Sequence, residues 1–343
     1  MKTPLTPTEL RERYGALLDR HPAAPALLVT VASKELLWSS AFGVLDLAAA
    51  LPAPPDACFR IASVTKTFVA ASVMVLAELG DLALEDLVSS RLSQESIAQL
   101  SGAGYHPELI TVEHLLAHTS GLPDHASLEH YQRAVLSDPH HHWTRAEQLA
   151  LAVSSAPPIG APGDAFSYSD TGYILLGEIL ERVTGRALGS ALRSLLHFDE
   201  LGLHSTAFEL EEPAPHEPLI AQYIGELDIR NVHASVDLFG GGGLISTTTD
   251  LTIFISALFE GRIVSEASLQ RMLTASGAHG GTGWGLGLFR LPEAQGSWWG
   301  HTGFWGVSMA YNPENQTAVA LACTQQPAAG GINVTSAMEW ALA

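Results

Sequence analysis

Segments with the pattern of β-strands lie at both ends of the chain, and segments with the pattern of helices lie between them. Residues 26–33 (ALLVTVAS) and 36–47 (LLWSSAFGVLDL) are β-branched or alternating and predict a hairpin. Residues 284–291, 297–314 and 317–326 are strand-like again. An antiparallel sheet built from both chain ends is the simplest way to pair these segments.

The middle of the chain is mostly helical by pattern, which predicts an insertion between the two sets of strands. We therefore expect an α/β fold of the α+β type, with helices flanking the sheet. The single domain over residues 1–343 would then have a sheet-containing part, 1–80 plus 236–343, and a mostly helical part, 81–235. A cleft between the two parts is the expected place for a ligand.

Composition and charge exclude several classes of partner. Hydrophobic residues make up 47% of the chain and charged residues only 15%, which supplies enough apolar side chains for a large core. The formal net charge of -19 disfavours nucleic acid and anionic membrane surfaces, because both attract clustered Lys and Arg. We expect no nucleic-acid partner and no membrane partner.

The amino-terminal segment lacks the apolar core of a signal peptide. It predicts an amphipathic helix, with Thr6 as the N-cap, Pro7 at the first helical position and Glu9 completing a capping box. The expectation is a cytoplasmic protein, although a chain whose leader had been removed would look the same.

No motif indicates a metal or a cofactor, and we expect neither. Cys58 and Cys323 lie among apolar residues outside any CxxC pair, which favours buried free thiols over a disulfide. His114 and His118 have zinc-like i, i+4 spacing but lack the Glu of an HExxH motif. The glycines at 240–243 are not followed by the Lys-Ser/Thr of a P-loop.

The helix predicted from Ser63 to Gly80 is apolar nearly all round, yet it begins with a serine and a lysine. Ser63 and Lys66 are at i and i+3, which places both side chains on one face. The N–H groups of a helix start can hold an oxyanion, and the same positive end would keep Lys66 closer to its neutral, basic form. The alternative is an ordinary helix start, with Ser63 as a cap and Lys66 reaching solvent.

Two further stretches contain residues suited to chemistry. Tyr168 lies in FSYSDTGY, between a Gly/Pro-rich loop and a predicted helix, where its phenol could exchange a proton. In WGHTGFWG, Gly303 leaves room for a ligand, and the N–H of Phe304 could point at the same oxyanion. The flanking Trp299 and Trp305 suit core packing and an aromatic wall equally well.

The stretches SVTK, YSD and HTG, in this order, resemble the S-x-x-K, Y/S-x-N and K-T-G elements of the serine β-lactamase-like and penicillin-recognising hydrolases. FRIASVTKTF, LLAHTSGLP, GGGGLISTTTDL and GWGLGL add to the likeness, which covers roughly residues 20–340. The most similar branch holds class C β-lactamases, D-Ala-D-Ala carboxypeptidases, D-aminopeptidases and β-lactamase-like esterases.

The resemblance implies a β-lactamase-like catalytic domain that cleaves an ester or amide carbonyl through an acyl-enzyme. Ser63 would be the nucleophile, Lys66 and Tyr168 would move the proton, and the backbone N–H groups of Ser63 and Phe304 would form the oxyanion hole. The residues implied around the substrate, a small ester, amide or short peptide, are Asp170, His301, Thr302, Gly303 and Trp305. Acyl transfer, weak β-lactamase activity and non-catalytic ligand binding are the alternatives.

Two residues depart from the family's commoner pattern. Asp170 stands where Asn is usual, and an ionised carboxylate only accepts hydrogen bonds. Asp170 could pair with Lys66, with a substrate ammonium, or with N–H groups of its own helix start. His301 replaces the Lys of the third element and is expected to be largely neutral near pH 7. Both changes favour an esterase or a D-amino-acid peptidase or amidase over an efficient β-lactamase.

Overall fold

The computed structural model describes residues 5–274, 283–291 and 297–338. A six-stranded sheet is formed, in spatial order, by residues 37–43, 26–32, 317–323, 307–312, 299–303 and 289–290, and every neighbouring pair of strands in it is antiparallel. Its strands come from both ends of the chain, as the sequence predicts. The strands are β1 (Ala26–Ala32), β2 (Leu37–Gly43), β3 (Phe59–Arg60), β4 (Ala207–Phe208), β5 (Tyr223–Ile224), β6 (Leu227–Asp228), β7 (Leu244–Ser246), β8 (Phe289–Arg290), β9 (Trp299–Gly303), β10 (Val307–Asn312) and β11 (Thr317–Cys323).

Helices fill most of the middle of the chain and flank the sheet. They are α1 (Pro7–Asp19), α2 (Thr65–Leu79), α3 (Gln94–Gly102), α4 (Val112–Leu116), α5 (Glu129–Ser137), α6 (Arg145–Ser155), α7 (Asp170–Thr184), α8 (Leu188–Leu195), α9 (Phe198–Leu201), α10 (Thr248–Phe259), α11 (Glu266–Leu273) and α12 (Val334–Met338). The expected α+β fold class is confirmed.

Each face of the sheet buries a different set of helices, as the alternation of strand side chains requires. Leu27 and Val29 of β1 face Tyr14 of α1 and the start of α12, whereas Leu28 belongs to the main core with α2 and α10. The capping box predicted for α1 is present, since Thr6 and Glu9 bond to each other's backbone N–H groups. Cys58 and Cys323 are buried free thiols, as predicted.

Helix α2 runs through the main core. Eleven of its residues are buried, and Gly80 ends it in the left-handed conformation at φ 79°, as the sequence predicts. Residues 62–79 are long and apolar enough to cross a membrane by length and composition alone, but 72% of that stretch is buried inside the protein. Such burial is typical of a core helix.

The predicted division into a sheet-containing part and a mostly helical part needs one correction. The segment 81–235 contains β4 and the β5–β6 hairpin besides its helices. The sequence pattern did not predict these strands, because strands of two residues are too short to show alternation. β4 pairs with β7 of the other predicted part, and the exact division into two parts stays a prediction. Residues 339–343 lie outside the described residues.

Candidate active site

The start of α2 places the two side chains that the sequence singled out in direct contact. Ser63 lies in a single 3-10 turn, Ala62–Val64, that leads into α2. Ala62 has a φ of 48°, a left-handed conformation that costs energy for a residue other than glycine and is common at functional sites. The Nζ atom of Lys66 donates to the Oγ atom of Ser63 at 2.8 Å.

Lys66 is fully buried and ion-paired, so it neither reaches solvent nor stays close to neutral. Its Nζ atom lies 2.5 Å from Oδ1 of Asp170 and donates to the carbonyl of Gly241 at 2.6 Å. Burial opposes the charged form, but the negative charge of Asp170 and the bonds to Asp170 and Tyr168 outweigh it and raise the pKa of Lys66. Of the two possibilities that the sequence left open, the near-neutral lysine is wrong and the pairing of Lys66 with Asp170 is present.

Tyr168 lies immediately before α7 and completes the group. Its hydroxyl is close enough to Lys66 and Ser63 for both groups to affect its protonation, and Lys66 Nζ lies 5.1 Å from its ring centroid. Burial raises the pKa of the Tyr168 phenol, and the nearby Lys66 ammonium offsets only part of that effect. The unliganded site therefore holds a neutral phenol beside a charged ammonium.

The glycine run at 240–243 brings backbone close to the site. A Cβ on Gly242 would come within 2.1 Å of an oxygen of Asp237, and one on Gly240 within 2.8 Å of the Tyr173 carbonyl. Gly240 also has a φ of 111°, which other residues rarely adopt. The close approach lets the Gly241 carbonyl reach Lys66.

The end of strand β9 packs against the turn that carries Ser63. A Cβ on Gly303 would lie 2.3 Å from the Ile61 carbonyl, so only glycine fits at this contact. Phe304 follows it with a ring that is 52% exposed. This packing brings the backbone of Phe304 near the Ser63 turn, where the sequence predicted an oxyanion hole. Thr302 is partly buried on the same strand.

His301 lies on β9 inside the protein. Its side chain is buried, with ring centroids 5.8 Å from Trp284 and 6.3 Å from Tyr168. Burial and the positive charge of Lys66 lower the pKa of His301 to about 3, in agreement with the neutral imidazole expected from the sequence. Trp305 is buried too, and its Nε1 atom donates to Oδ2 of Asp237 at 3.1 Å, which places it in the core.

Sequence reasoning missed two carboxylates near Asp170. Oδ1 of Asp124 accepts the backbone N–H of Asp170 at 3.1 Å. Burial and then the charge of Asp170 raise the pKa of Asp124 to about 7 and that of Asp237 to about 6. Neither Asp124 nor Asp237 lies in the SVTK, YSD or HTG stretches, and their spacing in the sequence matches no catalytic motif.

His118 is the third residue that the sequence analysis did not place at the site. Its ring lies 4.4 Å from the Tyr168 ring, and its Nδ1 atom accepts the N–H of Ser169 at 3.1 Å. His118 thus positions the segment that carries Tyr168. His118 lies in LLAHTSGLP, one of the stretches that resemble the family, and this resemblance could have pointed to it. Among the described residues, no three His, Cys, Asp or Glu side chains form a metal-binding group.

Comparison with known proteins agrees with the fold. Residues 13–336 match the Beta-lactamase family. Penicillin-binding protein 4* of Bacillus subtilis is 26% identical over 86% of the chain, which spans 66% of that relative's length. Esterase EstB of Burkholderia gladioli is 29% identical over 85% of the chain and 83% of its own length.

A solved structure gives the same result. The D-amino acid amidase of Ochrobactrum anthropi, solved with L-phenylalanine amide, superposes with a TM-score of 0.77 at 25% identity, over 92% of this chain and 91% of that chain. The expected family is confirmed, and an esterase and an amidase are among the similar proteins. The chain belongs to the beta-lactamase family.

Proposed function

We propose that the chain hydrolyses small esters or amides through an acyl-enzyme formed on Ser63. The observation that carries this proposal is the hydrogen bond between the Ser63 hydroxyl and the Lys66 ammonium, with the Tyr168 phenol beside both groups. A nucleophile within hydrogen-bond reach of groups that exchange protons is the arrangement that acyl transfer requires. The names of the esterase and amidase relatives support the choice of ester and amide carbonyls.

In the proposed reaction, Oγ of Ser63 attacks the carbonyl carbon and its proton passes to the deprotonated member of the Lys66–Tyr168 pair. The carbonyl oxygen takes the negative charge, and the N–H groups of Ser63 and Phe304 would stabilise it. Collapse of this intermediate expels the alcohol or amine, which takes up the transferred proton. Water then repeats the sequence on the acyl-serine and releases the acid.

The protonation state of the free site limits how often this reaction can begin. Both Lys66 and Tyr168 have raised pKa values, so both hold their protons near neutral pH. One of these protons must leave before the pair can accept the proton of Ser63. The reactive form is therefore a minor one near neutral pH, and its population increases as the pH rises.

Covalent labelling tests the assignment of Ser63. A fluorophosphonate probe should add one label, seen by intact mass, to the wild-type chain and none to Ser63→Ala. Ser72→Ala is the matched control, because Ser72 lies buried in α2, the helix that follows Ser63, and its hydroxyl has no hydrogen-bond partner within the described residues. An unlabelled wild type, or an undiminished label in Ser63→Ala, would overturn the proposal.

A further inference from the structure

The surroundings of Lys66 contain more carboxylates than cations. Asp170 pairs with Lys66, and Asp124 and Asp237 are close enough for the charges of Asp170 and Lys66 to act on both. Within the described residues, neither Asp124 nor Asp237 makes an ion pair of its own. Within the described residues, Lys66 is the cation paired to Asp170, and it lies among three carboxyl groups.

Asp170 is the carboxylate best placed to meet a ligand. Its side chain is 14% exposed, whereas that of its partner Lys66 is 0% exposed. Oδ1 is in contact with Lys66, and a carboxylate has several lone pairs, so Asp170 can accept another hydrogen bond. By contrast, Asp124 accepts hydrogen bonds from the backbone N–H groups of Asp170 and Ala126, and Asp237 accepts one from Nε1 of Trp305.

His301 adds an independent observation, a buried acceptor without a donor. Its Nδ1 atom lies 2.7 Å from the Thr302 carbonyl, so Nδ1 carries the hydrogen and Nε2 presents its lone pair. The residue is only 2% exposed, and Nε2 has no hydrogen-bond partner among the described residues. Burying an unpaired acceptor costs free energy, which a ligand N–H beside Tyr168 would recover.

We propose that this site selects substrates with an ammonium group next to the scissile carbonyl, such as amino-acid esters or amides with a free α-amine, and that Asp170 binds the ammonium while Nε2 of His301 accepts a substrate N–H. The proposal rests on the acyl-enzyme function and names the substrate class of the same site. The positions of Asp170 beside Lys66 and of His301 beside Tyr168 place both acceptors near the serine.

The same arrangement disfavours substrates with a carboxylate at that position. A carboxylate would meet the negative charge of Asp170 and the lone pair of His301, and like charges at short range repel. A lysine in place of His301 would supply the missing cation. Asp170 and His301 therefore both favour the binding of cationic substrates and disfavour that of anionic ones.

Four methyl esters that differ only at the α-substituent test this selectivity. They are phenylalanine methyl ester, its N-acetyl derivative, methyl 2-methyl-3-phenylpropanoate and monomethyl benzylmalonate, assayed by acid release at a pH where the amine is protonated. Wild type should show a kcat/KM for the ammonium ester about tenfold or more above that for the methyl analogue, as a charge-assisted hydrogen bond implies. The carboxylate ester should be the poorest substrate.

Variants assign the preference to the named residues. Asp170→Asn should bring the ratio of ammonium to methyl ester close to one, whatever happens to the absolute rates. Asp81→Asn removes the same charge from an exposed position and should leave the ratio unchanged. His301→Lys should shift the preference toward the carboxylate ester. An unchanged ratio in Asp170→Asn would overturn the proposal.

Binding measurements keep the test independent of catalysis. In Ser63→Ala, calorimetry should show phenethylamine binding more tightly than 3-phenylpropanoate, and adding Asp170→Asn should remove that difference. Equal binding of the two compounds in Ser63→Ala would contradict the proposal. Hydrolysis of the neutral ester without a preference for the ammonium ester would overturn only the selectivity, whereas absence of both hydrolysis and probe labelling would overturn the proposed function itself.

Discussion

Two helix starts meet at the site, and only one of them has a side-chain cap. The turn and helix that carry Ser63 and Lys66 begin without a side-chain cap. Helix α7, which follows Tyr168, is capped by the Ser169 hydroxyl, and Asp124 accepts the N–H of Asp170. An uncapped helix start retains polar N–H groups for a ligand, whereas a capped one is fixed in place. The first start is suited to chemistry and the second to positioning.

The charges at the two starts also differ, and one compensates the other. A helix start favours a negative side chain and disfavours a positive one. Lys66 is therefore unfavourable in the first turn of α2, while Asp170 is favourable at the start of α7. Their 2.5 Å contact joins the two ends and makes the charged lysine stable despite complete burial.

Of the changes to the Lys66–Asp170 pair, removal of Lys66 should lower activity the most. Lys66→Ala should lower kcat/KM for a simple ester about a thousandfold, because proton transfer to and from Ser63 loses its partner. It also leaves Asp170 without its cation, so the melting temperature should fall as well. Lys34→Ala, at an exposed position, is the control and should match wild type. A rate within tenfold of wild type would show that the start of α2 is not the catalytic one.

Removing the negative charge at the other start should change the pH dependence. In wild type, kcat/KM should rise with pH on the alkaline side, because the raised pKa values of Lys66 and Tyr168 keep the reactive form scarce at neutral pH. Asp170 raises the pKa of both groups, so Asp170→Asn should move this rise to lower pH by about one unit or more, equivalent to about 1.4 kcal/mol.

A pH–rate profile on a neutral ester measures that shift, and Asp81→Asn again serves as the control. The Lys66–Tyr168 pair titrates as a unit, so the profile reports the pair and not either residue. A rise that stays at the same pH in Asp170→Asn would show that Asp170 does not control the proton of the pair.

The sequence predicted what depends on local pattern. The spacing of Ser63 and Lys66, the Gly80 stop and the hairpin strands are all encoded by neighbours in the chain, and the structure contains each of them. The sequence left the charge state of Lys66 open, because the partner that decides it, Asp170, lies on another helix. Asp124 and Asp237 were missed for the same reason, since only the folded chain brings them to Asp170.

The smallest expected effect separates positioning from stability at the capped start. Ser169→Ala removes the hydroxyl that accepts the Gly172 N–H and should cost about 1 kcal/mol in the free energy of unfolding. Thr144→Ala removes the equivalent cap of α6, whose hydroxyl accepts the Glu147 N–H, and should cost a similar amount. Denaturant unfolding measures both losses. Only Ser169→Ala should also lower kcat/KM, by several-fold, because Ser169 joins Tyr168 to Asp170. Equal activity in the two variants would mean that the cap of α7 stabilises the fold without positioning the reacting groups.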